Sequence, residues 1–318
     1  MRFEVEGVEL ADVDGYEHVE FSYMPDIRLI ASRHSAFYSP LISMIAGGFL
    51  EKEGLSASYT PATAGQNSAI EVAEGRADIG QSAVSGSWGA LDVGEKPLVA
   101  HFAQINAFDG FIVAAREPDA DFQWEKLLDA KFLYVHGGQP EAMLRYGLHR
   151  VGIDLSDIEG IESPGGDEMM EQWRNGEGYY FHEQGAFPQQ LEHEGIAQIV
   201  SSVGEIVGPT AFSSLVARWD YLDSGEARAV TRAYRASREW VNTADPMEVA
   251  EAEEPFFPDM ALEATAAAVA YYQKLGNWDG DIAIPRNLYE SALDVFEHSG
   301  MVGSRHAYED VVVAPPGP

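Results

Sequence analysis

The sequence contains no cysteine. This absence excludes disulfide bonds, a thiolate nucleophile, cysteine-ligated zinc and iron–sulfur clusters. It does not distinguish between cellular compartments. The chemistry of this chain is therefore not that of a cysteine enzyme or of a cysteine-type metal protein.

Positive charge is scarce as well. The chain has 52 acidic residues against 20 lysines and arginines, which gives a net charge of −32. Such a field repels nucleic acid and anionic lipid surfaces, so we expect neither as a partner. Two interpretations of the charge stay open: a solvated acidic surface, or an attraction for a cationic ligand. Lysine occurs only at Lys52, Lys96, Lys126, Lys131 and Lys274.

Long apolar runs are missing too. No stretch reaches the roughly 18 apolar residues that a membrane span needs, so we expect none. The first twenty residues, MRFEVEGVELADVDGYEHVE, are acidic and alternating. They lack the basic, apolar and cleavage regions of a secretory leader. We therefore expect a cytoplasmic protein, or a periplasmic or extracytoplasmic one if the given sequence omits an export leader.

Strand-like and helix-like segments alternate along the first two thirds of the chain. Strands are predicted over 19–25 and 27–32, and apolar residues at helical spacing predict a helix over about 39–53, which Gly54 is well placed to end. From Asp220 onward the pattern is helical, and the tail VVVAPPGP is expected to fray. The alternation predicts an α/β fold with largely parallel sheets.

Two similar strands bracket the second half of this alternating region. FIVAAR (111–116) and FSSLVAR (212–218) are typical of a double crossover between two lobes. We predict a first lobe formed by residues 1–110 plus 212–318 and a second lobe formed by residues 111–211. Two adjacent crossover strands make a hinge, and a hinge implies a cleft that can close.

Four motifs in order carry a family resemblance. They are FYSPL, GGFLEKEGL, TAGQNSAIEVAEGRADIG and GPTAFSSLVARWDYL. Together they resemble the substrate-binding proteins of the nitrate, sulfonate and taurine type and their thiamine-pyrimidine-precursor relatives. The resemblance covers most of residues 28–225. It implies the type II periplasmic-binding-protein fold, α/β, with two doubly wound lobes joined by a two-strand hinge.

The resemblance also implies a function. Such a protein binds a small organic solute, for example a sulfonate, a carboxylate or a heterocycle, as the substrate-binding component of an ABC-type importer. It hands the solute to a permease and needs no cofactor. In this fold the ligand lies at the carboxyl ends of the strands, where loops from both lobes meet.

Five groups of residues are predicted at those strand ends. Helix amino termini with free backbone N–H groups can hold an anion or a carbonyl, and small residues let a ligand approach the backbone. Thr210 lies near the second crossover. The pair His182-Glu183 departs from the Trp-Glu-Pro-like pattern of the family, which puts the usual ligand type in doubt. The predicted ligand-binding residues are His34, Ser35, Phe37, Tyr38, Gly65, Gln66, Asn67, Ser82, Ala83, Gly137, Gly138, Gln139, Tyr180, His182, Glu183 and Thr210.

A second hypothesis is a cytoplasmic enzyme on the same scaffold, a lyase or transferase similar to desulfinases or thiamine-pyrimidine synthases. Its catalytic groups would be Ser35, His34 and His182. If a metal were bound, its ligands would be His34, His136, His182 and Glu183. The resembling enzymes use a cysteine or a lysine, and no predicted cleft loop contains either. His101, on the strand LVAHF, is expected to be a satisfied core residue.

Overall fold

A computed structural model describes residues 24–63 and 65–317. The strand predicted over 19–25 therefore lies mostly outside the described residues. Within them, none of the helices combines the length and the hydropathy needed to cross a bilayer.

In the part of the chain that the structure describes, ten strands form two five-stranded sheets. In the first sheet the order is β2-β1-β3-β10-β4, and β10 alone runs antiparallel to its neighbours. In the second sheet the order is β7-β6-β8-β5-β9, and β5 alone runs antiparallel to its neighbours. The strands are β1 (Asp26–Ala31), β2 (Ser56–Pro61), β3 (Ile79–Ser82), β4 (Val99–Asn106), β5 (Phe111–Ala115), β6 (Phe132–Val135), β7 (Gly160–Ser163), β8 (Tyr180–Gln184), β9 (Gln198–Ser202) and β10 (Ser213–Arg218).

Helices connect and cover the strands, as the alternation predicts. They are α1 (Ser39–Ala46), α2 (Phe49–Lys52), α3 (Ser68–Ala73), α4 (Trp88–Asp92), α5 (Gly138–Arg150), α6 (Gly166–Arg174), α7 (Phe187–His193), α8 (Val203–Val207), α9 (Gly225–Thr243), α10 (Pro246–Glu253), α11 (Leu262–Leu275) and α12 (Arg286–His298).

The helix predicted over 39–53 is in fact two helices. The chain breaks at Gly47-Gly48, where Gly48 has a φ of 66°, a left-handed conformation that glycine adopts without strain. The predicted stop at Gly54 is confirmed, with a φ of 75°. The apolar spacing was correct, but it did not reveal that the Gly-Gly pair interrupts the backbone.

The chain passes between the sheets twice, once from β4 to β5 and once from β9, through α8, to β10. The two crossing segments are bonded to each other, since the Thr210 N–H donates to the Ala107 carbonyl at 2.8 Å. The ring of Phe37 packs against Gly110, where an added Cβ would overlap it. The two antiparallel strands, β5 and β10, are the first strands that the chain forms after it crosses from one sheet to the other. This symmetry is the double crossover that the sequence predicts.

The expectation that the C-terminal tail frays is wrong. Val311 and Val312 are buried, and Val312 pairs with His101 as an isolated parallel bridge. The His101 N–H donates to Val311 O, and the Val313 N–H donates to His101 O, each at 3.0 Å. The tail therefore covers the edge of β4, which would otherwise expose unpaired backbone groups.

The prediction for His101 is confirmed. Its ring is fully buried between the hydroxyl oxygens of Ser87, at 2.9 Å, and Ser214, at 2.7 Å. Burial lowers the pKa of His101 to about 3, so the ring is neutral at physiological pH.

Candidate functional site

The loops at the carboxyl ends of β1 and β8 meet at the junction between the two sheets, which we call the cleft. Two contacts made by residues of the loop after β1 cross it. Arg33 reaches Glu183, and the hydroxyl of Ser35 donates to the carbonyl of Gly185. Further along the crossing region, the Gln139 side chain donates to the Phe212 carbonyl at 2.8 Å. Three of the predicted site residues, Ser35, Gln139 and Glu183, therefore lie where the sheets meet.

Glu183 is a buried carboxylate held mainly by the second sheet. It is 1% exposed, and its two oxygens accept the backbone N–H groups of Gly166 at 2.6 Å and Gln184 at 2.7 Å. Arg33 Nη2 lies 2.9 Å and 3.1 Å from the same two oxygens. A buried carboxylate needs such donors because its desolvation is otherwise uncompensated.

His34 is held within the first half of the site. Its Nε2 lies 2.6 Å from the Phe256 carbonyl, so Nε2 carries the hydrogen and Nδ1 accepts from the Tyr59 hydroxyl at 3.0 Å. The ring also stacks on Phe257 at 4.6 Å. Burial lowers the pKa of His34, and the bond to Phe256 opposes this only in part. The His34 ring is therefore neutral and fixed by two partners.

His182 lies beneath the cleft. Its ring is fully buried and stacks on Phe111 at 4.4 Å. Burial, with a smaller contribution from Arg33, lowers the pKa of His182 to about 3. Its Nε2 has no hydrogen-bond partner among the described residues. The ring is therefore a neutral packing element and not an acid or base exposed to a ligand.

The metal-ligand set considered from the sequence is not assembled. His136 is half exposed, and its ring contacts Glu141 at 2.8 Å. In residues 24–63 and 65–317, no group of three or more carboxylate or histidine side chains is arranged to hold a metal. The expectation that the three histidines line one cleft fails at His182, because its ring is fully buried.

Two helix amino termini, the predicted one at Gly137 and an unpredicted one at Gly166, are already occupied by protein groups. The Gly137 N–H, at the start of α5, donates to Glu141 Oε2 at 2.7 Å. The Gly166 N–H, at the start of α6, donates to Glu183. Two carboxylates of the chain itself thus occupy these N–H groups, so these termini favour an anion much less than free ones do.

The other predicted helix terminus is a solvated loop. Gly65, Gln66 and Asn67 are exposed, and the hydrogen bonds that the structure describes for Gln66 and Asn67 stay within residues 63–71. Asn67 caps α3 by accepting the Ile70 N–H at 3.1 Å. Ser82 and Ala83, at the end of β3, are partly exposed and stay available to a ligand.

Four of the predicted ligand-binding residues lie in the core or at the wrong end of a strand. Phe37, Tyr38 and Thr210 are buried around the crossover segments, where the Phe37 ring lies 5.2 Å from that of Phe212. Tyr180 begins β8 and so lies at the opposite end of the strand from Glu183. Its hydroxyl donates to Asp119 at 3.2 Å. Placing Tyr180 in the site was wrong because the strand starts, and does not end, at this residue.

The sequence analysis missed Arg33, Gly165 and Gly166. Arg33 directly precedes two predicted site residues, but its partner is 150 positions away. The short strand β7, with the sequence GIES, gave no apolar signal, so the Gly-Gly pair after it was not placed at a strand end. A lone cation after the first strand of so acidic a chain was the available clue.

No family model matches this chain. The candidate binding protein YtlA of Bacillus subtilis (strain 168) is 26% identical over 293 residues, which cover 90% of this chain and 87% of YtlA.

Two solved structures are similar over nearly their whole length. One is the ligand-binding component of an ABC-type import system from Staphylococcus aureus, with zinc bound. It has a TM-score of 0.70 at 13% identity, covering 92% of this chain and 97% of that one. The other is the alkanesulfonate-binding protein SsuA from Xanthomonas axonopodis pv. citri bound to MOPS. Its TM-score is 0.67 at 13% identity, with 92% and 98% covered. The predicted resemblance is therefore confirmed, and this chain has the two-lobed α/β periplasmic-binding-protein fold.

Proposed function

We propose that this chain is the substrate-binding component of an ABC-type importer and holds a small organic solute in the cleft. The observation that carries the proposal is the pair of contacts across the cleft, Arg33 with Glu183 and Ser35 with Gly185. Both join strand ends of different sheets, where ligands bind in this class of fold. A solute held there would touch both sheets at once.

The double crossover supports closure as the means of binding. We propose that the lobes divide as the sequence predicts, with residues 1–110 and 212–318 in one and 111–211 in the other. Residues 107–110 and 208–212 would then be the hinge, since they are the covalent links between the sheets. Their mutual hydrogen bond, from Thr210 to Ala107 at 2.8 Å, keeps the two links together during closure.

The comparisons support the same role. One similar structure is named a ligand-binding component of an import system, another is named an alkanesulfonate-binding protein, and YtlA is named as a candidate binding protein. A permease partner and an extracytoplasmic location follow from this proposal. The proposed ligand contacts are Ser35, Ser82, Ala83, Gly138, Gln139, Gly165 and Glu183.

The enzyme hypothesis is not favoured. The Ser35 hydroxyl donates to the Gly185 carbonyl, and among the described hydrogen bonds it has no histidine partner that could act as its base. His182 is buried and neutral, and His34 is fixed by the Tyr59 hydroxyl and the Phe256 carbonyl. These groups position the cleft loops and offer no route for a proton to a ligand.

A thermal-shift screen tests the proposal. Sulfonates, carboxylates, pyrimidines and organic amines are added at millimolar concentration, and a true ligand at about 100 times its Kd stabilises the fold by about 2.7 kcal/mol, a shift of several degrees. The shift should fall sharply in Glu183→Gln and persist in the control Glu168→Gln, an exposed glutamate on α6. No shift with any class, or an equal shift in both variants, would contradict binding in the cleft.

A further inference from the structure

Glu183 already pairs with a cation, the Arg33 guanidinium, which reaches it from the other side of the cleft. We propose that Arg33 is a tethered occupant of the place where the ligand's cationic group binds. The ligand is then a small organic cation with a guanidinium, amidinium or ammonium group, and it displaces Arg33 from Glu183. This inference rests on the proposed function and names its substrate class.

The receptor is built without Arg33. The N–H groups of Gly166 and Gln184 fix the two carboxylate oxygens at 2.6 Å and 2.7 Å, and both donors belong to the same half of the molecule as Glu183. Each oxygen keeps one more acceptor site directed at the cation. A carboxylate that is 1% exposed and aimed at the cleft requires a positive partner there.

Arg33 itself is held loosely. Only Nη2 contacts Glu183, and Nη1 and Nε make no hydrogen bond within the described part of the chain. The side chain is 27% exposed. Arg238 is different: it donates to the carbonyls of Asp279, Gly280 and Asp281. An arginine that uses one nitrogen and remains in contact with solvent is easier for a ligand cation to replace than one bound through several nitrogens.

Gly165 packs directly on the pair. It has a φ of 86°, and a Cβ there would overlap Glu183 Oε2 and lie 2.7 Å from Arg33 Nη2. Any larger residue at this position would therefore displace the groups of the pair. The Phe111 ring, with its centroid 5.5 Å from Arg33 Cζ, offers the aromatic face that organic cations prefer.

An anionic ligand fits this arrangement less well. Glu141 and Glu183 already take the N–H groups at the starts of α5 and α6. An anion on Arg33 would also lie next to the buried charge of Glu183. The net charge of −32 repels anions and concentrates cations near the cleft. The second interpretation of the acidic composition, attraction of a cationic ligand, is the one that this geometry favours.

Chemical rescue tests the inference. Arg33→Ala empties the site, so methylguanidinium chloride should stabilise this variant in a thermal-shift titration relative to NaCl of equal ionic strength. If Arg33 occupies Glu183 for about nine tenths of the time, methylguanidinium should bind the variant about tenfold more tightly than the wild type. Arg33→Met, which keeps the apolar stem against Phe111, replaces Arg33→Ala if the latter does not fold.

Two controls decide the result. The double variant Arg33→Ala/Glu183→Gln should lose the rescue, and Arg28→Ala, which breaks the more exposed pair with Asp78, should show none. Equal methylguanidinium affinity in Arg33→Ala and in the double variant would overturn the inference. A sulfonate that stabilises the wild type but not Arg33→Ala would overturn it too and leave the carrier role standing. If methylguanidinium rescues Arg33→Ala but no solute in the thermal-shift screen stabilises the wild type, the result counts against the carrier role and not against the inference about Arg33.

Discussion

Glu253, at the end of α10, gives the sharpest prediction about stability. Its carboxyl group is fully buried, with Oε2 2.8 Å from the Ser39 hydroxyl and Oε1 2.6 Å from the Ser43 hydroxyl. The Ser39 hydroxyl also lies 2.8 Å from the Ala36 carbonyl, which can only accept. Its single hydrogen cannot serve both oxygens, so the Glu253 carboxyl donates to Ser39 and is protonated in the folded protein.

The pKa agrees with this geometry. Burial raises the pKa of Glu253 from 4.5 to about 8, against the smaller opposing effect of the two serines. The folded state keeps a proton that the unfolded chain releases, so stability is full below the unfolded pKa and falls as pH rises towards 8. Each pH unit in this window costs about 1.4 kcal/mol. Charge in the unfolded state and water penetration reduce the total over the window from pH 4.5 to 8. The free energy of unfolding therefore falls by on the order of 3 kcal/mol at pH 8.

Glu253→Gln should remove this loss. The amide N–H can donate to Ser39 and the amide oxygen can accept from Ser43, which reproduces the protonated acid. Urea unfolding should give nearly equal stability for wild type and variant at pH 5, with the variant more stable by about 3 kcal/mol at pH 8. The exposed neighbour Glu254→Gln is the matched control and should track the wild type. Parallel stability curves for Glu253→Gln and wild type from pH 5 to 8 would refute a protonated Glu253.

Two further substitutions test packing that the sequence did not reveal. Gly110→Ala forces a methyl group into the Phe37 ring and should lower the free energy of unfolding in urea by about 1–3 kcal/mol. The control Gly89→Ala lies in open space on α4 and should be neutral or slightly stabilising. Equal stability of the two variants would show that the crossover tolerates a shift of the Phe37 ring. Val312→Asp should detach the tail from β4 and cost about 2–4 kcal/mol. The exposed control Ala314→Asp should change little, and a Val312→Asp variant as stable as this control would mean that the docked tail adds nothing.

Much of the fold could be predicted because its determinants are local. Alternating apolar runs located the strands, and the paired strands at 111 and 212 revealed the crossover before any coordinates. The misses have tertiary causes. The strand Gly160–Ser163 has too few apolar residues to be visible, and the tail residues Val311 and Val312 are held by tertiary contacts with His101 and the hydrophobic core.

The site was less predictable because its groups are paired across long sequence separations. Glu183 was identified, but its partner Arg33 lies in the other sheet's first loop. The N–H group of Gly137, expected to be free at a helix terminus, donates to the carboxylate of Glu141, four residues later in the chain. A glutamate in the first turn often accepts from a backbone N–H at the helix start, so this bond could have been predicted from the sequence. His182 was placed at the correct strand end, but alternation along β8 turns it into the core and Glu183 toward the cleft.

Hydrogen exchange with mass spectrometry, on the chain with and without the solute that gives the largest thermal shift, tests the two-sided cleft most directly. The account predicts slowed exchange in loops of both sheets, at residues 32–35 and 82–84 of the first and 137–139, 165–166 and 183–185 of the second. Protection confined to one sheet would contradict it. So would protection only at the separate cavity of about 670 Å³ beside Arg145, His149 and His298.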